Sequence, residues 1–270
     1  MMSSDVFKGS GTQVDPYLIS SAEDLLVLAE KVNASEQGYA SAFYKLTQSV
    51  DLDGLAWKPI GTKDNPFKGT FIGTGCTISN LSIEAPDSDY VGLFGCISNP
   101  AKLQGITVRD VNVTGRACVG SIAGSAYTGS VSDCSAVGVV IVEGNYKVGG
   151  MFGEGYATLS NCSIKCEPGG SVRGIYSAPD FEGDNVGGII GFHGEGAIAM
   201  TGCSVERVVV SGTRKVGGIV GTMFTDNSMI ECSVSRTEVH CNASHEYAMG
   251  SSVMNQLAFG GLVGMFVKNG

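Results

Sequence analysis

One phrase, repeated six times, limits the fold of this chain more than any other feature. It reads Val91-Gly-Leu-Phe-Gly95, Val119-Gly-Ser-Ile-Ala-Gly124, Val148-Gly-Gly-Met-Phe-Gly153, Val186-Gly-Gly-Ile-Ile-Gly191, Val216-Gly-Gly-Ile-Val-Gly221 and Phe259-Gly-Gly-Leu-Val-Gly264, with starts 28, 29, 38, 30 and 43 residues apart. A helical-hairpin repeat needs a long 3.6-periodic segment in each unit, and none is present. Short alternating stretches follow the phrases instead, such as Leu103 to Val113, Val131 to Val142 and Cys203 to Val210. They read as two or three strands per unit, separated by Gly-rich turns. A unit this small cannot bury its own apolar face, but stacking on its neighbours closes a continuous core of parallel, in-register strands. The expected fold is all-β, a right-handed parallel β-helix.

Glycine supplies 40 of the 270 residues, about twice the usual share. Its expected work is to provide positive φ at the corners and to let one wall approach another. The 38- and 43-residue units read as ordinary coils with loops pushed outward, at Glu167 to Asp184 and Asn242 to Ala258. Cys134, Cys162, Cys203 and Cys232 keep nearly one register, and Ile106 takes that place in an earlier unit. The column therefore reads as interior packing, a stack of free thiols. Residues 87–270 form one continuous repeat domain, and residues 1–86 an N-terminal cap with the first irregular coils. Within the cap, Ser20 to Val32 reads as a helix, with Ser20 and Glu23 as a capping box and Leu25, Leu28, Ala29 and Val32 on one face. It is expected to cover the solenoid's open end, where unpaired strand edges would otherwise lie exposed.

With 17 basic and 26 acidic side chains the net charge is −9, and the longest basic run is Arg214-Lys215. No basic stripe exists to hold phosphates, so nucleic acid is excluded as a partner. No run of 18 apolar residues occurs, so no membrane insertion is expected within this chain. The opening Met1-Met2-Ser3-Ser4-Asp5 lacks signal-peptide character. Nine cysteines make an odd set without a CxxC pair, so neither a metal nor another cofactor is expected.

Further residues carry a resemblance. Gly9 to Ser20, followed by Ala22-Glu-Asp-Leu25, Phe43-Tyr-Lys-Leu-Thr47, Val50-Asp-Leu-Asp-Gly54, Trp57-Lys-Pro-Ile-Gly61, Phe67-Lys-Gly-Thr-Phe71 and Thr77 to Ile83, resembles the leader of bacterial GLUG-repeat proteins. The Val-Gly-Gly-x-x-Gly phrases are similar to the GLUG motif itself, and the likeness covers roughly the whole chain. It departs at Gly75-Cys76-Thr77, where the family commonly has Gly-His-Thr, and at Ser121, which replaces the second glycine of its phrase. The resemblance implies a cell-surface or secreted protein of host-associated bacteria, adhesin-like or the non-catalytic region ahead of an IgA-specific metallopeptidase. The peptidase itself is missing: HExxH needs two imidazoles one helical turn apart, and His245-Glu246-Tyr-Ala-Met249 lacks the second. The final Gly264 to Gly270 stops where another unit's second strand is due, as in a fragment.

Three groups compete for function. Asp51 and Asp53 alternate on a presumed strand and could share a face toward calcium or a glycosidic bond; two solvated turn acids before Gly54 are the plainer reading. Cys241 beside His240 could suggest a thiol nucleophile, but adjacency on a strand points the two apart. Eight residues after each phrase start stand Asn99, Tyr127, Tyr156, Gly194, Phe224 and Val267. Tyr127, Tyr156 and Phe224 could form a ligand-binding platform for a glycan, recurring near the spacing of sugar rings, although Gly194 interrupts the column. The expectation is a non-catalytic, adhesin-like module or display stalk, a monomer, extracellular or on the bacterial surface and contacting a host glycan or glycoprotein. The alternatives are the N-terminal accessory region of a secreted zinc peptidase and, more weakly, a polysaccharide-cleaving β-helix enzyme.

Overall fold

A computed structural model describes residues 6–127, 129–175, 185–196, 199–242 and 259–267. The chain is a parallel β-helix. Among the described residues its strands form sheets of eight, six and fifteen members, and the coils between Phe94 and Gly260 each visit all three. One coil shows the path: Ala123–Ala126 lies in the six-stranded sheet, Ser130–Ser132 in the eight-stranded sheet, and Ser135–Gly144 with Tyr146–Gly149 in the large sheet. The next phrase then begins.

The repeated phrase sets the register. Val91 pairs with Val119, Val119 with Val148, Val148 with Val186, Val186 with Val216 and Val216 with Phe259. The phrases that follow the 38- and 43-residue spacings therefore keep the same register as the others. The insertion is shorter than Glu167 to Asp184, since Ser171–Gly174 is a strand paired with Ile141–Gly144 and with Val209–Ser211. Its alternation explains this: Val172 is buried in line with Val142 and Val210. Residues 176–184 and 243–258 of the two expected loops lie outside the described residues. Inside the coils, aliphatic columns fill the core, each fully buried Val, Leu or Ile contributing roughly 1.5–3 kcal/mol.

The two expected jobs fall to different glycines. No phrase glycine has positive φ; the corners are taken by Tyr90, Cys118, Lys147 and Lys215 before the phrases, and by Asp133, Asn161 and Glu231 at another bend, with glycine at Gly105 and Gly202. The phrase glycines instead lie under backbone. A Cβ on Gly153 would stand 2.4 Å from the Cys118 carbonyl carbon and the Val119 nitrogen. Ser121 fits where the four later phrases have a second glycine, and its hydroxyl donates to the Gly150 carbonyl at 2.5 Å.

The helix spans Ala22–Asn33 and buries Leu25, Leu28, Ala29 and Val32. Its capping box is one residue further on than Ser20 and Glu23: Ser21 accepts from Asp24 N, and the Asp24 carboxylate accepts from the Ser21 and Ser20 nitrogens and the Ser20 hydroxyl. Both frames satisfy the pattern, but only Asp24 gathers three donors. The helix lies in the first coil, after the outermost strand Tyr17–Ile19 of the eight-stranded sheet. Its last residue fastens it: the Asn33 amide donates to Pro59 O, and its side-chain oxygen accepts from Gly61 N. All nine cysteines are free thiols. In the interior column Cys162 donates to Val131 O and Cys203 to Leu159 O, each a carbonyl of the preceding coil; burial pushes the Cys134 thiol up to about 12.

Candidate functional site

The residue before four of the five phrase valines turns the corner in the left-handed region: Tyr90, Cys118, Lys147 and Lys215 have φ of 60°, 55°, 54° and 52°. That conformation costs a non-glycine residue about 1 kcal/mol or more. The corners rest directly on the phrase glycines, as Gly124 under Tyr90 and Gly153 under Cys118 show. Corner side chains are thereby carried over the six-stranded sheet. Lys147 reaches Glu154 of strand Phe152–Gly155 in a salt bridge whose side chains are 17% and 4% exposed.

Tyr127 and Tyr156 follow successive strands of this sheet, and their rings stack at 5.9 Å with 12° between planes. With Tyr90, Tyr146, Lys147, Glu154 and Arg116 they line a cleft of about 400 Å³. Arg116 grips Asp89 with two hydrogen bonds of 2.7 Å. Burial raises the Tyr127 hydroxyl far above the usual phenol range, helped by hydrogen bonding to Tyr90 and by the charge of Glu154. Burial, then Glu154, raises Tyr156 as well. Burial opposes the charge on Lys147, but its hydrogen bond to Glu154 and that carboxylate's charge, with smaller contributions from Cys118 and Tyr146, together outweigh it and the net shift is upward. Cys118 is pushed up by burial and next by Glu154, so this thiol is no nucleophile at neutral pH. The cleft thus offers two aromatic faces, neutral phenol donors and two carboxylates already held by cations.

Gly194 interrupts the column of rings but serves the ring before it. A Cβ there would stand 2.1 Å from Tyr156 Cε1, so the glycine makes room for that ring. Phe224 stands apart, packed edge-on against Phe192 at 5.8 Å and outside the cleft lining. Phe192 in turn lies under Lys147, 4.6 Å from its Nζ. Asp51 and Asp53 do not share a strand face, because the strand ends at Asp51. The Asp51 carboxylate locks the turn, accepting from Asp53 N and the Asn80 amide, and the Asn80 bond lowers its pKa. Cys241 donates to Thr213 O while His240 meets Glu238, so that pair is not a nucleophile and its base. Among the described residues no group of three or more metal-ligating side chains occurs, and no helix is long and apolar enough to cross a membrane.

Nothing in the repeat pattern marked His193. It is fully buried, its Nδ1 lies 2.8 Å from the Asn227 amide, and its Nε2 has no hydrogen-bond partner among the described residues. Burial pushes its pKa down to about 4. The unfolded imidazole binds its proton near 6.5, so between these values the unfolded state holds more protons and stability falls with acid. Lowering pH from 7 to 4 is expected to cost about 3 kcal/mol through this residue. Urea unfolding of wild type and His193→Leu across that range checks it: the variant should lack this part of the slope, and parallel curves would refute it.

No family model matches the chain. It is 34% identical to halomucin of Haloquadratum walsbyi over 160 residues, which are 55% of this chain and 2% of that protein. It is 33% identical over 134 residues, 46% of this chain and 15% of the other, to an Evansella cellulosilytica protein provisionally described as a Gly-rich membrane protein. The chain therefore spans only a small part of either relative's length. A crystal structure from Bacteroides ovatus, provisionally described as an immunoglobulin A1 protease, superposes with a TM-score of 0.58 at 18% identity, covering 97% of this chain and 87% of that one. What the two chains share at that identity is the β-solenoid fold.

Proposed function

We propose that this chain is a non-catalytic β-helical module of a bacterial surface or secreted protein that binds host glycans or glycoproteins. One observation carries the reading: the stacked Tyr127–Tyr156 pair lines a cleft beside neutral hydroxyl donors and fixed charges. Aromatic faces suit the apolar faces of sugars, and the polar groups around them can fix orientation. The names of the relatives, a mucin-like one and a membrane protein, and the likeness to GLUG-repeat leaders support display outside the cell. Hydrolysis of the sugar is not part of this reading, because the cleft's two carboxylates, Asp89 and Glu154, are each committed to a cation. Glycosidic cleavage needs one of the two free as an acid.

The structural neighbour favours a second reading, an accessory region ahead of a secreted protease. An HExxH segment downstream in the same gene would select it; further repeats or an anchor would select the adhesin. A glycan and mucin-glycoprotein array tests binding directly. Tyr127→Ala/Tyr156→Ala is expected to weaken a specific hit more than tenfold, and Phe224→Ala, outside the cleft, to leave it within about twofold. A blank array would leave a rigid spacer.

A further inference from the structure

The tyrosine cleft does not stand alone. A second cleft of about 430 Å³ shares Asp89 and Tyr90 with it and runs on to Trp57, Lys58 and Lys63 near the helix C-terminus. The two lie side by side across the strands as a divided groove, with Asp89 and Tyr90 as their common wall. Ile60 pairs with Phe94, Phe94 with Ala123 and Ala123 with Phe152. Three rung steps of ~4.8 Å give roughly 14 Å of groove, the reach of a short oligosaccharide.

The charge along this groove is opposite to that of the protein. The chain carries −9, yet the groove's charged lining is Lys58, Lys63, Arg116 and Lys147 against Asp89 and Glu154. Both acids are taken, Asp89 by Arg116 and Glu154 by Lys147. Lys58 and Lys63 remain, both exposed and without an ion pair among the described residues. Asp64 is next to Lys63 in sequence but does not line the groove. Trp57 is held in the wall by its indole, which donates to Leu93 O at 3.2 Å. Two uncompensated cations at one end of an aromatic groove in an acidic protein select for a ligand with a fixed negative charge at that end.

We infer, building on the glycan reading of the tyrosine cleft, that the Trp57–Lys63 end is a subsite for an acidic sugar, with Lys58 and Lys63 holding a carboxylate or sulfate while Tyr127 and Tyr156 hold the adjoining rings. The two sources of the anion are separated by paired probes: mucin-type oligosaccharides with and without their terminal carboxylated sugar, and sulfated oligosaccharides before and after desulfation. Titration of the whole chain should show the acidic member of one pair binding about tenfold more tightly than its neutral counterpart, an advantage that shrinks with salt. Lys58→Gln/Lys63→Gln, two exposed replacements that leave the core untouched, should abolish that advantage and leave neutral binding unchanged. Equal binding of both members, or an advantage that survives the double replacement, overturns the subsite while the tyrosine cleft stands. Loss of all glycan binding, or binding indifferent to Tyr127→Ala/Tyr156→Ala, overturns both. A polyglutamate peptide that competes as well as the acidic glycan overturns the sugar assignment.

Discussion

Gly153→Ala is expected to destabilise the chain by about 3 kcal/mol or more, although it adds a single methyl group. The new carbon would stand 2.4 Å from the Cys118 carbonyl carbon and the Val119 nitrogen, and 2.6 Å from the Cys118 Cα. These are backbone atoms, so no side chain can swing away, and relief requires two coils to part. Overpacking of a rigid site usually costs 1–3 kcal/mol and exceeds that when backbone must move. The damage would also reach the cleft, because the parted coils carry Tyr127 and Tyr156. Gly261→Ala in the last phrase, which no coil covers among the described residues, provides the comparison: none of them lies within 4 Å of its Cβ, and its unfolding midpoint should stay near wild type, within about 0.5 kcal/mol. Urea titration of both variants decides the matter, and equal midpoints would contradict the close-approach role of the phrase glycines.

Lys147→Met is expected to cost roughly 3–5 kcal/mol, as much as a large core truncation. It leaves the Glu154 carboxylate, 4% exposed, with neutral partners such as the Ser125 hydroxyl at 3.3 Å and no ammonium. Removing one member of a buried ion pair exposes the full desolvation penalty of the other, whereas replacing both is often neutral. Lys147→Met/Glu154→Gln should therefore recover most of the loss. The size of that recovery separates the pair's net worth from the cost of orphaning a charge. Additive losses in the double variant would mean that the two residues act independently.

The coil path was legible because its cause is local: valine at a rung and glycine under a corner repeat at the period of the fold, so Val91 through Phe259 could be aligned before any pairing was known. Tyr127 and Tyr156 were legible for the same reason. The rest of the cleft was not. Tyr90, Lys147 and Arg116 reach it from a corner whose positive φ is borne by tyrosine, cysteine and lysine, residue types that give no sign of such backbone in a sequence. Phe224 misled because its partner, Phe192, belongs to the preceding coil at a different offset. The helix start slipped by one residue because Ser20-x-x-Glu23 and Ser21-x-x-Asp24 are equivalent in pattern, and only the three donors around Asp24 distinguish them.

Parallel, in-register pairing has a mechanical consequence. The backbone hydrogen bonds between coils run along the solenoid's long axis, so a pull between its ends bears on the rungs one after another instead of shearing them together. Each rung that yields frees one coil of about 28 residues, or roughly 95 Å of extended chain, while the coils behind it keep their core. Such a body gives way coil by coil, the longer units releasing more chain, and lengthens under load without surrendering its remaining surface.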